Sequence, residues 1–290
     1  MKNSTLRTGF FLVVASVFLA GCGEDGPSAD ELSCTTGSTH AAVLTALAFT
    51  IAENDVAPGF NLDDRVSTNE DYLSCGKADF VDPDGVPGID NRLAALIPVI
   101  KAQVGDAVDG LVQGAINDGN LVILTEIENV DDLVDDSCVN VGVTIGQKKR
   151  PSLGTDGVIE AYQTFEPEAN TPRSYVQKAR IENGVLSTGS FPLTVPIAIF
   201  DVSFTIHMEQ ARMRFAIDPE GKTHGYLGGG MLPQEILDGV AEGAGVDQYL
   251  PAIKVAMEAN TDMAYDDEIG KCKRFSGALE FSGTPAFIRR

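Results

Sequence analysis

The chain has 290 residues, 43% hydrophobic and 22% charged, with a formal net charge of −21. That is enough apolar material for one large domain or two modest ones with a real core, and too much for a disordered chain. Forty-two acids against 21 bases exclude a nucleic-acid partner and favour cations.

Residues 1–21 place Lys2 and Arg7 ahead of an apolar run, Phe10 to Ala20, that is too short to span a bilayer. This is the pattern of a secretory signal peptide. It ends Leu19-Ala20-Gly21-Cys22, which looks like a bacterial lipobox, so cleavage is expected before Cys22, with lipid (diacylglycerol and a palmitate-type acyl chain) on that cysteine. Two acyl signals suffice for a stable membrane anchor without a span. Losing residues 1–21 removes two positive charges and no acid, taking −21 to −23. Gly23 stands where an Asp would favour inner-membrane retention in the Gram-negative sorting system that this anchor resembles; the outer membrane of the bacterial envelope is therefore expected. Residues 22–38 then form a lipidated cysteine and flexible tether, and residues 39–290 a single domain.

Cys34, Cys75, Cys138 and Cys272 remain, an even number in an oxidising compartment, which predicts two disulfides. Of three connectivities, Cys34–Cys75 with Cys138–Cys272 is favoured, tying the domain start to an acidic loop and a mid-chain strand to the C-terminal region. No two of these cysteines have the C-x-x-C spacing of a zinc site.

Period-two alternation predicts a strand over 41–52, with Val43, Leu47, Phe49 and Ile51 on one side. Apolar residues from Leu93 to Ile116 recur at helical spacing around Pro98. They predict a short turn from Asp90 to Ile97, with Asp90 as N-cap, and a second helix from Pro98. Within it, Gly110-x-x-x-Gly114 resembles a close-packing motif. Strands are expected over 121–127, 137–146 and 158–165, then over 175–181 and 185–190 about the Asn183-Gly184 turn. Further strands are expected over 193–200, 202–208, 213–217 and 276–288, with helices over 233–242 and 246–259. Leu227-Gly228-Gly229-Gly230-Met231 reads as a tight strand-to-helix turn. The predicted class is α+β: a mainly antiparallel β-sheet domain, a sandwich or partly rolled sheet, packed with a few helices.

Cys75 to Asn91 is the stretch with the clearest chemistry. Asp82-Pro83-Asp84-Gly85-Val86-Pro87-Gly88-Ile89-Asp90-Asn91 resembles the calcium-binding thrombospondin type 3 repeat and the start of an EF-hand loop. Calcium takes six to eight oxygens, and alternate carboxylates converge only where glycine lets the chain turn sharply. On the matching positions the resemblance implies Asp82, Asp84 and Asp90 as carboxylate ligands, the Val86 carbonyl, and Asn91 as a supporting amide. Unlike those repeats the loop is short and single, so Asn61, Asp63, Asp64 and Asp79 are candidates to complete it. Two other acidic clusters, Asp131 to Asp136 and Asp262 to Glu268, read as exposed charged turns. No G-x-S-x-G elbow or H-E-x-x-H helix is present, and no catalytic activity is expected.

The order of lipobox, acidic loop, apolar helix, strands about Ser190-Phe191-Pro192-Leu193 and the Tyr226 to Gly230 turn looks like bacterial envelope lipoproteins. Together these features predict a membrane-anchored, calcium-stabilised, disulfide-bonded binding or structural domain, meeting the membrane through Cys22 and a partner protein elsewhere. The alternative is a periplasmic carrier of a lipid or other apolar ligand, suggested by the apolar stretch 193–200 and the Met- and Phe-bearing strands.

Overall fold

Alternation of apolar and polar residues dominates the chain, and the backbone follows that period. The computed structural model describes residues 34–104, 107–199, 202–241 and 250–290. The signal segment, Cys22 and the tether up to residue 33 lie outside the described residues, as do Phe200 and Val246.

The chain begins with β1 (Ser38–Phe49), β2 (Phe80–Val81), β3 (Pro87–Ile89), α1 (Arg92–Val104), α2 (Ala107–Asn117), β4 (Ile123–Val130) and β5 (Asp136–Ile145). The middle holds β6 (Gln163–Phe165), β7 (Ser174–Glu182), β8 (Val185–Ser187) and β9 (Phe191–Ile199). Next come β10 (Val202–Ile217), β11 (Thr223–Met231), α3 (Pro233–Ala241), α4 (Leu250–Glu258), β12 (Met263–Asp266) and β13 (Lys271–Ile288).

Hydrogen bonds join β1-β4-β5-β7-β8-β10-β11-β13 side by side, each pair antiparallel, and β13 pairs back onto β1 from Ala42↔Pro285 to Phe49↔Leu279. The eight strands therefore close into a barrel, which removes the sheet's free edges. The α+β sandwich or partly rolled sheet expected from the sequence is overturned: strand accounts for 46% and helix for 16%, and the helices sit within connections rather than forming a layer. Closure depends on β1 meeting β13 at the opposite end of the sequence, which no local pattern encodes.

Two strand assignments change with it. The Gly228-Gly229-Gly230 run is not a turn but the end of β11, where neighbouring groups come too close for side chains. A Cβ at Gly228 would lie 2.8 Å from the Phe60 ring, and one at Gly225 2.1 Å from the Arg214 carbonyl oxygen. The segments 202–208 and 213–217 are one strand, bent at a bulge where Gln210 has φ 52°. On one side of this bend β10 pairs with β8, and on the other with β9.

Among the described residues, apolar side chains pack the interior. Leu44, Ile123, Val143, Met213, Leu227 and Phe281 surround a residual cavity of about 20 Å³, and Phe215 meets Phe281 edge to face at 5.6 Å. One water fits in such a space, whereas ligand pockets run to roughly 300–1,000 Å³.

The two ends of the barrel differ. At the near end, where Cys34 leads into β1, the connections 131–135, 183–184 and 218–222 are all short. At the far end every connection is long: 50–122 carries β2, β3, α1 and α2; 146–173 carries β6; 188–201 carries β9; and 232–270 carries α3, α4 and β12. The 146–173 connection also returns along the wall, where β6 pairs in parallel with Ala286 to Ile288.

One disulfide serves each end. Cys34–Cys138 holds the entering chain against the start of β5, and Cys75–Cys272 holds the long β1–β4 connection against the start of β13. Two disulfides were expected and two form, but not as Cys34–Cys75 and Cys138–Cys272. Pairing follows the barrel ends, which the sequence does not display.

Helix α1 runs through Pro98 without a break, and its cap is Asn91, whose Oδ1 accepts the Ala94 N–H at 3.2 Å. Asp90, the expected cap, turns elsewhere. Gly110 and Gly114 have nothing within 4 Å of where a Cβ would stand, so the expected close packing does not occur there.

Candidate functional site

Of the four buried carboxylates among the described residues, three, Asp82, Asp90 and Asp262, lie at the far end; the fourth, Glu126, stands on β4 in the wall. The expected calcium loop divides into two separate arrangements. Residues 82–86 form the tip of the β2–β3 hairpin and satisfy one another. Asp82 Oδ1 accepts the N–H groups of Asp84 (2.9 Å) and Val86 (2.7 Å), and the Val86 carbonyl accepts the Asp82 N–H. This is an Asx-type turn, in which a short side chain replaces the backbone acceptor. Asn91, fully buried, donates to Thr50 Oγ1 and the Pro58 carbonyl while its Oδ1 accepts from Ala94 and Ala278. It is a structural peg joining four segments.

The second arrangement involves Asp63, Asp79 and Asp90. Asp90 Oδ2 accepts the Leu62 N–H at 2.6 Å and the Asp63 N–H at 3.3 Å. Asp79 Oδ2 in turn accepts the Ser67 N–H at 2.5 Å, and the Ser67 hydroxyl, 4% exposed, has no hydrogen-bond partner. Arg65 is the local counter-ion, bonded to Asp63 at 3.0 Å, and Asn61 grips the Arg65 backbone through both amide atoms. Asp64 points away and pairs with Arg212 at 2.7 Å. Burial, reinforced by Asp63 and Asp79, pushes the Asp90 carboxyl up to about 8; burial likewise raises Asp79.

Asp262 behaves differently from the exposed turn expected of it. It is 4% exposed, and its carboxylate accepts the Ser276 N–H at 2.7 Å and hydroxyl at 2.5 Å. The Ser276 hydroxyl also accepts the Arg92 N–H at 2.9 Å, so Asp262 anchors the first turn of α1 through β13. Burial raises its carboxyl to about 7 against the pull of Ser276 and Arg92. Nothing local in Thr261-Asp262-Met263 distinguishes it from an exposed acid. Asp266, four residues on, is half-buried and pairs with Lys273.

Among the described residues, no three His, Cys, Asp or Glu side chains are arranged to hold a metal ion. The structure thus couples Asp63, Asp79 and Asp90 electrostatically, while Asp82, Val86, Asn61 and Asn91 hold hydrogen bonds of their own and Asp84 is exposed at the hairpin tip.

A cleft of about 810 Å³ opens beside the Cys75–Cys272 disulfide, between the start of α3, the end of α4 and the β12–β13 hairpin. Tyr72 and Tyr265 meet edge to face at 5.4 Å on its wall, and Tyr72 and Ile269 are largely exposed. Sequence reading passed over this cleft because its walls come from four segments spread over 200 residues of chain. The lone sequence signal was the alternation of Lys271, Cys272 and Lys273, which places both lysines on one side of a strand.

Compared with known proteins, the chain matches no family model, no curated protein and no solved structure.

Proposed function

We propose that the chain is a lipoprotein of the bacterial envelope, anchored through lipid on Cys22 and destined for the outer membrane, whose disulfide-locked barrel presents a binding surface at its far end. The observation that carries this reading is the unequal distribution of the connections: tight turns where the tether enters, and all four long connections at the opposite end. Loops on a rigid scaffold are where binding residues accumulate. The acids of the near-end turns, among them Asp131, Asp132, Asp218 and Glu220, would keep that end off an anionic bilayer. Replacing Cys22 with Ser is expected to move the protein from the membrane fraction to the soluble one; unchanged fractionation would overturn the anchor.

Calcium belongs to the proposal as a structural ion drawn to the carboxylates of Asp63, Asp79 and Asp90, of which Asp90 is buried and the other two half-buried; as they stand they form no three-ligand group, so binding would have to draw them together. Calcium is expected to raise the melting temperature, and Asp90→Asn to abolish the rise; identical curves with calcium and with chelator would remove the ion from the account. The filled interior favours this module over a lipid carrier, and native mass spectrometry of protein taken from membranes tests that preference: a copurifying apolar ligand would reverse it.

A further inference from the structure

Three of the nine lysines that follow Cys22 line one cleft, in a chain whose acids outnumber its bases two to one. Lys271 and Lys273 stand two apart on β13, projecting from the same side roughly 7 Å apart along the strand. Lys77 reaches the cleft from the loop that Cys75 ties to Cys272. Lys273 is partnered by Asp266, whereas Lys77 and Lys271 have no ion-pair partner among the described residues. The same cleft exposes apolar surface, Tyr72 64% and Ile269 60% exposed, and its one lining carboxylate, Glu258, is paired with Lys254 at 2.6 Å.

We propose that this cleft docks an extended peptide segment of a partner protein in which carboxylates alternate with apolar side chains. The proposal rests on the reading of the far end as a binding surface and names its ligand class. In an extended peptide, side chains on one face recur at the spacing of Lys271 and Lys273, so carboxylates at alternate positions meet both ammonium groups. The intervening apolar residues turn to Tyr72 and Ile269. An acidic glycan fits less well: its hydroxyls need many paired donors and acceptors, and beyond the tyrosine hydroxyls the cleft's neutral polar side chains are Gln234 and Thr261. The mostly acidic surface disfavours such a peptide over much of the molecule; the exposed basic run Lys148-Lys149-Arg150 is the rival site, and reversing those charges should leave binding unchanged.

The test is fluorescence anisotropy of the full lipidated protein in detergent with a short labelled peptide alternating Asp and Phe. Saturable binding is expected, weakened by salt, absent for the Lys-Phe counterpart and reduced about tenfold or more by Lys271→Glu combined with Lys273→Glu. Tyr72→Ala, at an exposed site, should weaken binding without moving the melting temperature, which separates loss of the cleft from loss of the fold. Equal binding of the Lys-Phe peptide, or indifference to the lysine reversals, would overturn the proposal. Binding of alginate in place of the peptide would assign the cleft to a glycan and overturn the peptide while sparing the far-end reading. Peptide binding lost on Asp131→Lys with Asp135→Lys, and kept in the lysine reversals, would sink both.

Discussion

The near and far ends of the barrel use the same eight strands and one disulfide apiece, yet they are built to different rules. At the near end, carboxylates are spent on holding turns: Asp136 accepts from Asp131 and Cys138, Asp132 from Val134, and Asp135 from Asn183. These are exposed, water-screened contacts, and such groups gain little beyond local geometry. At the far end, Asp90 and Asp262 are buried, raised in pKa and wired to distant segments. A closed wall makes this division possible: because the strands satisfy one another, either end can be elaborated without opening the sheet.

The largest expected effect tests the two disulfides against each other. Cys75→Ser with Cys272→Ser releases a crosslink spanning 197 residues, against 104 for Cys34–Cys138. In the chain-entropy picture each is worth about 2–5 kcal/mol, slightly more for the longer loop. Hydrogen exchange should rise across 50–91 and 263–274 in the first variant and stay confined to the near-end turns in the second. Matching exchange patterns would erase the distinction between the ends.

Next comes pH. The Asp90 carboxyl has a higher pKa folded, about 8, than unfolded, so the native state binds the proton more tightly. Its contribution is intact below about pH 4 and is lost progressively as pH rises toward 8. Asp262 acts in the same direction up to about 7. In chelator, melting temperature should therefore fall from mildly acidic to mildly alkaline buffer, and Asp90→Asn should flatten the fall. A variant that melts with the wild-type slope would show that the far-end carboxyls are not the cause.

Smaller effects probe the wall between the ends. Gly142 on β5 leaves room for the Arg173 guanidinium, which a Cβ would approach to 2.2 Å. Arg173 bonds Glu126 at 3.0 Å and Glu128 at 2.6 Å and lies over the Tyr175 ring at 4.8 Å. Gly142→Ala should cost about 1–3 kcal/mol in denaturant titration by displacing it. Gly110→Ala and Gly114→Ala sit in open helical positions and should each stabilise by up to about 1 kcal/mol, the smallest shifts of the set.

Residues whose role is set by their neighbours in sequence were legible. The Asn183-Gly184 hairpin, the β5 alternation and the Pro233 helix start all stand where local pattern puts them. What escaped was set by partners far away. Gly228 reads as a turn residue until Phe60 is placed against it, and Asp262 as a surface acid until Ser276 binds it. The calcium loop is the reverse case. Its spacing matched a motif, but Asp82 closes on its own hairpin tip, and Asp90 reaches back to Leu62 and Asp63.

Pairing of β1 with β13 also sets the order in which the molecule can be finished. Synthesis runs from the N-terminus, so β1 exists with one edge bare until residues 271–288 have been made. The same late strand receives β11, β12 and β6. A chain that stops before residue 271 would leave both β1 and β11 open, and the truncated product would be an aggregation-prone sheet rather than a smaller barrel.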